Sequence, residues 1–80
     1  MKAGSEKQTI YLEQHTHIAL CDLLKLAGIA DSGGQAKALI AAGHVLRNGA
    51  TETRKTAKIQ DGETIAIGSQ TVQVKAGFAP

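Results

Sequence analysis

The spacing of apolar residues along this chain switches from that of a strand to that of a helix and back. Thr9-Ile10-Tyr11-Leu12-Glu13 is rich in strand-forming residues and predicts a short edge strand. From Leu20 the period lengthens. Leu20, Leu23, Leu24 and Ala27 fall at i, i+3, i+4 and i+7, one apolar face of a short helix that ends at Gly28, with Asp22 and Lys25 on its other faces. After Ile29-Ala30-Asp31 the same spacing returns in Ala36, Leu39, Ile40 and Gly43 and predicts a second helix. Lys37 lies about 100° from Ala36 around it, at the border of the apolar stripe, so it can bury its stem and keep its ammonium in water. Beyond Gly43 the pattern is all strand. Val45-Leu46-Arg47 and Ala50-Thr51-Glu52 flank Asn48-Gly49, a pair that tolerates the positive φ angles of a type I′ hairpin turn. Ala57-Lys58-Ile59 is a short strand closed by Asp61-Gly62. Glu63-Thr64-Ile65-Ala66-Ile67 and Thr71-Val72-Gln73-Val74 alternate apolar and polar residues around Gly68-Ser69. The layout is α+β: two short helices packed on a small, mostly antiparallel sheet.

The start of the second helix carries the first sign of chemistry. Ser32 can accept from the backbone N–H of Gln35 while Gln35 reaches back, the arrangement of a Ser-x-x-Gln capping box. Gly33 and Gly34 leave the first turn without side chains. The free N–H groups and positive dipole end of that helix then lie open to an anion, for which a nucleic-acid phosphate is the natural candidate. The competing reading is that the two glycines only permit a tight turn. Gly43 reads as a C-cap, and Gly49 and Gly62 as turn residues.

Composition changes this picture through its distribution more than its totals. The chain has 80 residues, a formal net charge of +2 and a single cysteine, Cys21. That length supports one domain, expected over residues 9–76, with a polar, disordered segment over 1–8 and a tail over 77–80. From Gly33 to Ile59 the cations are Lys37, Arg47, Arg54, Lys55 and Lys58, against the single acid Glu52. A basic face on a near-neutral domain is the electrostatic footprint of a phosphate binder, although a charge-rich stretch can also be a solvated surface. One cysteine excludes an internal disulfide framework and suits a reducing cytosol. No apolar run approaches the roughly 18 residues that span a bilayer. Lys2 and Lys7 precede no apolar stretch, so neither a secretory signal nor a membrane partner is expected, and the expected location is cytoplasmic.

The ordered series Leu23-Leu24, Gly28, Ser32, Ala36-Lys37, Ile40, Gly43-His44-Val45, Asn48-Gly49, Lys58-Ile59 and Asp61-Gly62 resembles the S4-like RNA-binding domain. The double glycine after Ser32, with Glu52-Thr53-Arg54-Lys55 and Lys58, is similar to small stand-alone bacterial members of the YbcJ type. The resemblance covers about Ile18 to Val74. It implies an αα-hairpin of the αL type leading into a curled sheet, and a monomer that holds structured RNA, ribosomal RNA or the ribosome among the candidates. Carried over by position, it implies an RNA-facing group of Gly33, Gly34, Gln35, Lys37, Asn48, Arg54, Lys55 and Lys58, with Lys25 and Arg47 behind them. Arg47 ranks lower because the family has an apolar residue before the Asn-Gly turn and a polar one before that. Here the order is Leu46 then Arg47, so Arg47 either sits at a bulge or points to the sheet's other face.

Tyr11 and Phe78 are the only aromatics near or in the predicted domain, and neither lies in the basic segment. Single-strand recognition relies on aromatic platforms for stacked bases, so backbone and shape contacts to a folded RNA are the expected mode. Lysines 37, 55 and 58 would act as point charges, and Arg54 as a bidentate fork. His15, His17 and Cys21 form a His-x-His-x-x-x-Cys spacing that lacks the fourth ligand of a structural zinc, so no metal or other cofactor is expected. Asp22 beside Cys21 lacks the converging base and orienting group that an activated nucleophile needs, and the chain reads as a non-enzyme. A protein–protein interaction module with a β-grasp-like sheet and no RNA role is the alternative. The final Gly77-Phe78-Ala79-Pro80 differs from the Gly-Gly ending that ubiquitin-like sulfur carriers need.

Overall fold

A computed structural model describes residues 6–80. Strand β1 (Glu6–Tyr11) is followed by β2 (Ile18–Ala19), helix α1 (Leu20–Leu26) and helix α2 (Gly33–Ala41). Five further strands complete the chain: β3 (Leu46–Arg47), β4 (Ala50–Thr51), β5 (Lys58–Ile59), β6 (Thr64–Ile67) and β7 (Gln70–Lys75). The main sheet has the order β1-β7-β6-β3-β4, and β2 pairs with β5 in a separate two-stranded ladder. Among the described pairings only β1 with β7 is parallel. The α+β class and the mostly antiparallel sheet therefore stand as expected.

Strand β1 begins at Glu6, three residues ahead of Thr9. The expectation of disorder over residues 1–8 is corrected for 6–8, which pair with Gln70, Thr71 and Val72 of β7; residues 1–5 lie outside the described residues. The tail is tied down at its first position, where the Glu13 N–H donates to the Gly77 carbonyl at 2.7 Å.

The core lies between the two helices and one face of the sheet. Leu20, Leu23 and Leu24 of α1 and Ile40 of α2 are fully buried with Val45, Ile59, Ile65, Val72 and Val74. Their spacing on each helix is the one that gathers side chains onto a single stripe. Cys21 is buried beside them as a small apolar side chain.

Both helices end as the glycines dictate. Gly28 and Gly43 adopt φ of +76° and +84°, a region that costs a side-chain-bearing residue about 1 kcal/mol or more. After α2 the His44 N–H donates to Leu39 and the Gly43 N–H to Ile40, closing the last turn and turning the chain into β3. The hairpin then reverses through Asn48 and Gly49, both at positive φ as a type I′ turn requires.

Candidate functional site

The N-terminus of α2 is open. Ser32 Oγ accepts from the Gln35 N–H at 3.1 Å, and the Ala36 N–H donates to the Ser32 carbonyl. The reciprocal arm of the capping box reaches one residue further than expected. Gln35 Oε1 accepts from the Asp31 N–H, not from that of Ser32. These bonds leave the N–H groups of Gly33 and Gly34 without a partner among the described residues. Neither glycine is demanded by backbone conformation or crowding. Both have negative φ, and a Cβ on Gly33 or Gly34 would meet nothing closer than 3.9 Å. The tight-turn reading therefore loses its physical basis. The atom nearest to a Cβ on Gly33 would be Lys25 Cδ, so the Lys25 stem lies against the open turn.

The N-terminus of α1 is closed. Its Leu20 and Cys21 N–H groups donate to the carbonyls of Ala57 and Lys55 at 2.9 and 3.1 Å. This seats the segment carrying Lys55 and Lys58 at the first turn of α1, while Lys25 lies in its last turn. Seven residues of helix separate the ends by roughly 10 Å at 1.5 Å per residue. Lys25, Lys37, Lys55 and Lys58 are exposed, and none has a carboxylate within salt-bridge distance among the described residues.

The arginines are placed differently. Arg47 lies directly across from Ile65 on the core-facing side of the sheet, while Leu46 is turned to solvent. Its guanidinium donates twice to Glu63, at 2.7 and 2.9 Å, once to Glu52 at 3.1 Å and once to the Lys58 carbonyl at 2.9 Å. Arg54 donates through Nε and Nη2 to the two oxygens of Glu52, each at 3.0 Å, and through its backbone N–H at 3.1 Å. The hydrogen bonds from Arg54, side chain then backbone, are the main reason that the buried Glu52 carboxyl falls to about 2; Arg47 adds to them and burial opposes them. Glu63 is lowered chiefly by the hydrogen bond from Arg47, and Arg47 is raised chiefly by the same bond. Two arginines and two glutamates thus sum to zero charge. Arg54 meets the expected site with its fork already engaged, and Arg47 belongs to the fold's interior lock.

Asn48 is also committed. Its Oδ1 accepts from the Thr64 N–H at 2.9 Å and its Nδ2 donates to Glu63 at 3.1 Å, pinning the hairpin turn onto β6. The structure therefore brings together Lys25, Gly33, Gly34 and Gln35 at one end of α1, and Arg54, Lys55 and Lys58 at the other. Two of these contacts were not legible in the sequence. Glu63 lies 16 positions from Arg47, with no local spacing to announce it. The approach of Lys25 to Gly33 depends on how the two helices pack.

The His-x-His-x-x-x-Cys spacing does not converge. His15 and His17 line a solvent-open groove between β1 and α1, whereas Cys21 is buried in the core. No trio of His, Cys, Asp or Glu among the described residues is arranged to hold a metal.

The S4 domain profile matches residues 10–75, most of the chain. The chain belongs to the S4 domain family. YbcJ of Escherichia coli (strain K12) is 52% identical over 68 residues, covering 85% of this chain and 97% of that protein. YbcJ of Shigella flexneri matches with the same identity and coverage. The solution structure of YbcJ from E. coli, described as revealing an ALFAL motif involved in RNA-binding, superposes with a TM-score of 0.71 at 47% identity. That match covers 95% of this chain and 96% of the other. Membership of the S4 domain family sets aside the β-grasp-like alternative. It also agrees with the αα-hairpin and sheet described above.

Proposed function

We propose that this protein binds structured RNA, with the backbone of one RNA segment lying along α1 from the open turn at Gly33-Gly34 to Lys55 and Lys58. The observation that carries this reading is the pair of unpartnered N–H groups at Gly33 and Gly34, flanked by Lys25 and free of steric demand for glycine. Unsatisfied N–H groups at a helix start favour an anion, and a lysine beside them adds a mobile positive charge. The S4 domain membership and the RNA-binding description of the solved YbcJ structure support the same assignment. Ribosomal RNA, free or in the ribosome, fits as a folded, phosphate-dense ligand. The reading assigns no catalytic role to any residue and describes a monomer acting in the cytoplasm.

A hairpin RNA and poly(U) should be titrated against the protein at equal salt. The hairpin should bind more tightly, because contacts to backbone and shape need a folded partner and the site offers no aromatic platform for unpaired bases. Equal affinity for poly(U) would sink the reading. Lys25→Glu and Lys37→Glu should each weaken hairpin binding about tenfold, or 1.4 kcal/mol, and Lys75→Glu should have less effect.

A further inference from the structure

A groove of about 590 Å³ runs between the end of β1, the loop that follows it and the outer face of α1. Its apolar surface comes from Tyr11, Ile18 and Leu26, and two carboxylates, Glu13 and Asp22, sit within it. Leu26 is 63% exposed, although it lies in the last turn of a helix whose other leucines are fully buried. Asp22 and Leu26 are four residues apart and so share one face of α1, turned away from the stripe that enters the core. Among the described residues neither Glu13 nor Asp22 has a salt-bridge partner and no lysine or arginine lines the groove, whose remaining ionisable side chains besides Tyr11 are His15 and His17. Glu13 is one of two described non-glycine residues at positive φ, a conformation that costs of order 1 kcal/mol and is held here by its bond to Gly77.

We propose that this groove is a docking site for a segment of another protein in which an apolar side chain is flanked by lysine or arginine. The apolar surface supplies the area, and exposed Leu26 and half-buried Tyr11 are the anchor points. The two unpaired carboxylates set the sign of the partner's flanking charges. The same carboxylates repel phosphate, so the RNA proposed above does not occupy this face. An open-sided channel of this size accepts one or two side chains from an extended segment. Lys25 leans toward Gly33 while Asp22 and Leu26 enter the groove, so one helix separates an RNA-facing surface from a protein-facing one. Both could be occupied together.

The test uses the full chain, labelled with nitrogen-15, and two sets of short synthetic peptides. Each peptide carries a central leucine or phenylalanine, flanked by lysines in one set and by glutamates in the other. The lysine set should shift the amide signals of Tyr11, Ile18, Asp22 and Leu26 in a saturable way, and the glutamate set should bind at least about tenfold more weakly. Leu26→Ser, at an exposed position and with no charge added beside Lys25, should weaken the lysine-set response at least about tenfold and leave affinity for a hairpin RNA unchanged. Absence of groove shifts, or equal response to both sets, overturns the proposal. So do groove shifts that follow protein concentration alone, which would make a second copy of this chain the occupant. Loss of RNA affinity in Leu26→Ser would assign the groove to the RNA site instead, and also overturns it.

Discussion

Arg47 stands between two carboxylates that would otherwise face each other across the edge of the core. Its side chain is 22% exposed and those of Glu52 and Glu63 are 11% and 17% exposed, so the three charges interact with little water between them. Such a group is worth most when complete, because removing one member strands the others. Arg47→Met should therefore cost about 2 kcal/mol in urea unfolding at neutral pH, although the replacement is apolar and similar in length. The lock should also be visible in acid. Both glutamates have lowered folded-state values, so their contribution is complete above the ordinary 4.5 and is lost as pH falls below it toward the folded values, about 2 for Glu52. Stability of the natural protein should drop over this window. The drop should be smaller in Arg47→Met, where Glu63 has lost the cation that lowered it; an unchanged acid profile would contradict the arrangement. The sequence held half of this information. The order Leu46-Arg47 gave two alternatives, and the inward-pointing one is what the structure shows. Glu63 was hidden because its partner is set by the β3–β6 register, not by neighbouring residues.

At the scale of elements, α2 combines a conventional cap with two glycines that the backbone does not need. Ser32→Ala removes the oxygen that satisfies the Gln35 N–H and should cost about 1 kcal/mol. Under the proposed function it should also weaken RNA binding, since it loosens the turn that meets phosphate. Gly33→Ala and Gly34→Ala should do the reverse to stability. Each restricts the unfolded chain and suits a helix, and should add up to about 0.5 kcal/mol, read as a higher melting temperature. Each should nevertheless reduce RNA affinity if the backbone approaches the ligand closely. A double variant that is more stable and still binds at full strength would remove this turn from the site. The cap, both helix ends and the hairpin were legible because each is written within a few consecutive residues. The pairing of β2 with β5 was not, since two-residue strands are too short to show a period. The parallel pairing of β1 with β7 joins Glu6 to Gln70, and no turn between them marks their register.

For the molecule as a whole, the quantity that matters is how many cations remain available after folding. A count along the chain from Gly33 to Ile59 credits Arg47 and Arg54 to the ligand; the folded protein has already paired them with Glu52 and Glu63. What remains beside the open turn and along α1 is Lys25, Lys37, Lys55 and Lys58. Each phosphate neutralised releases close to one counterion, so four lysines predict a log–log dependence of affinity on salt with a slope of roughly −3 to −4. Were both arginines to join by abandoning their glutamates, six contacts would steepen the slope to about −5. The measurement thus reports whether the lock stays closed on RNA. Arg54 is the arginine able to switch, because its side chain is 72% exposed and Glu52 is its sole acidic partner among the described residues. In the natural protein Lys55→Ala should reduce both affinity and slope more than Arg54→Ala does. In Glu52→Gln, where Arg54 is released from its carboxylate, the slope should steepen by about one and the two alanine substitutions should become comparable. A natural protein that already shows the steeper slope, together with no further change in Glu52→Gln, would mean that phosphate displaces Glu52 during binding.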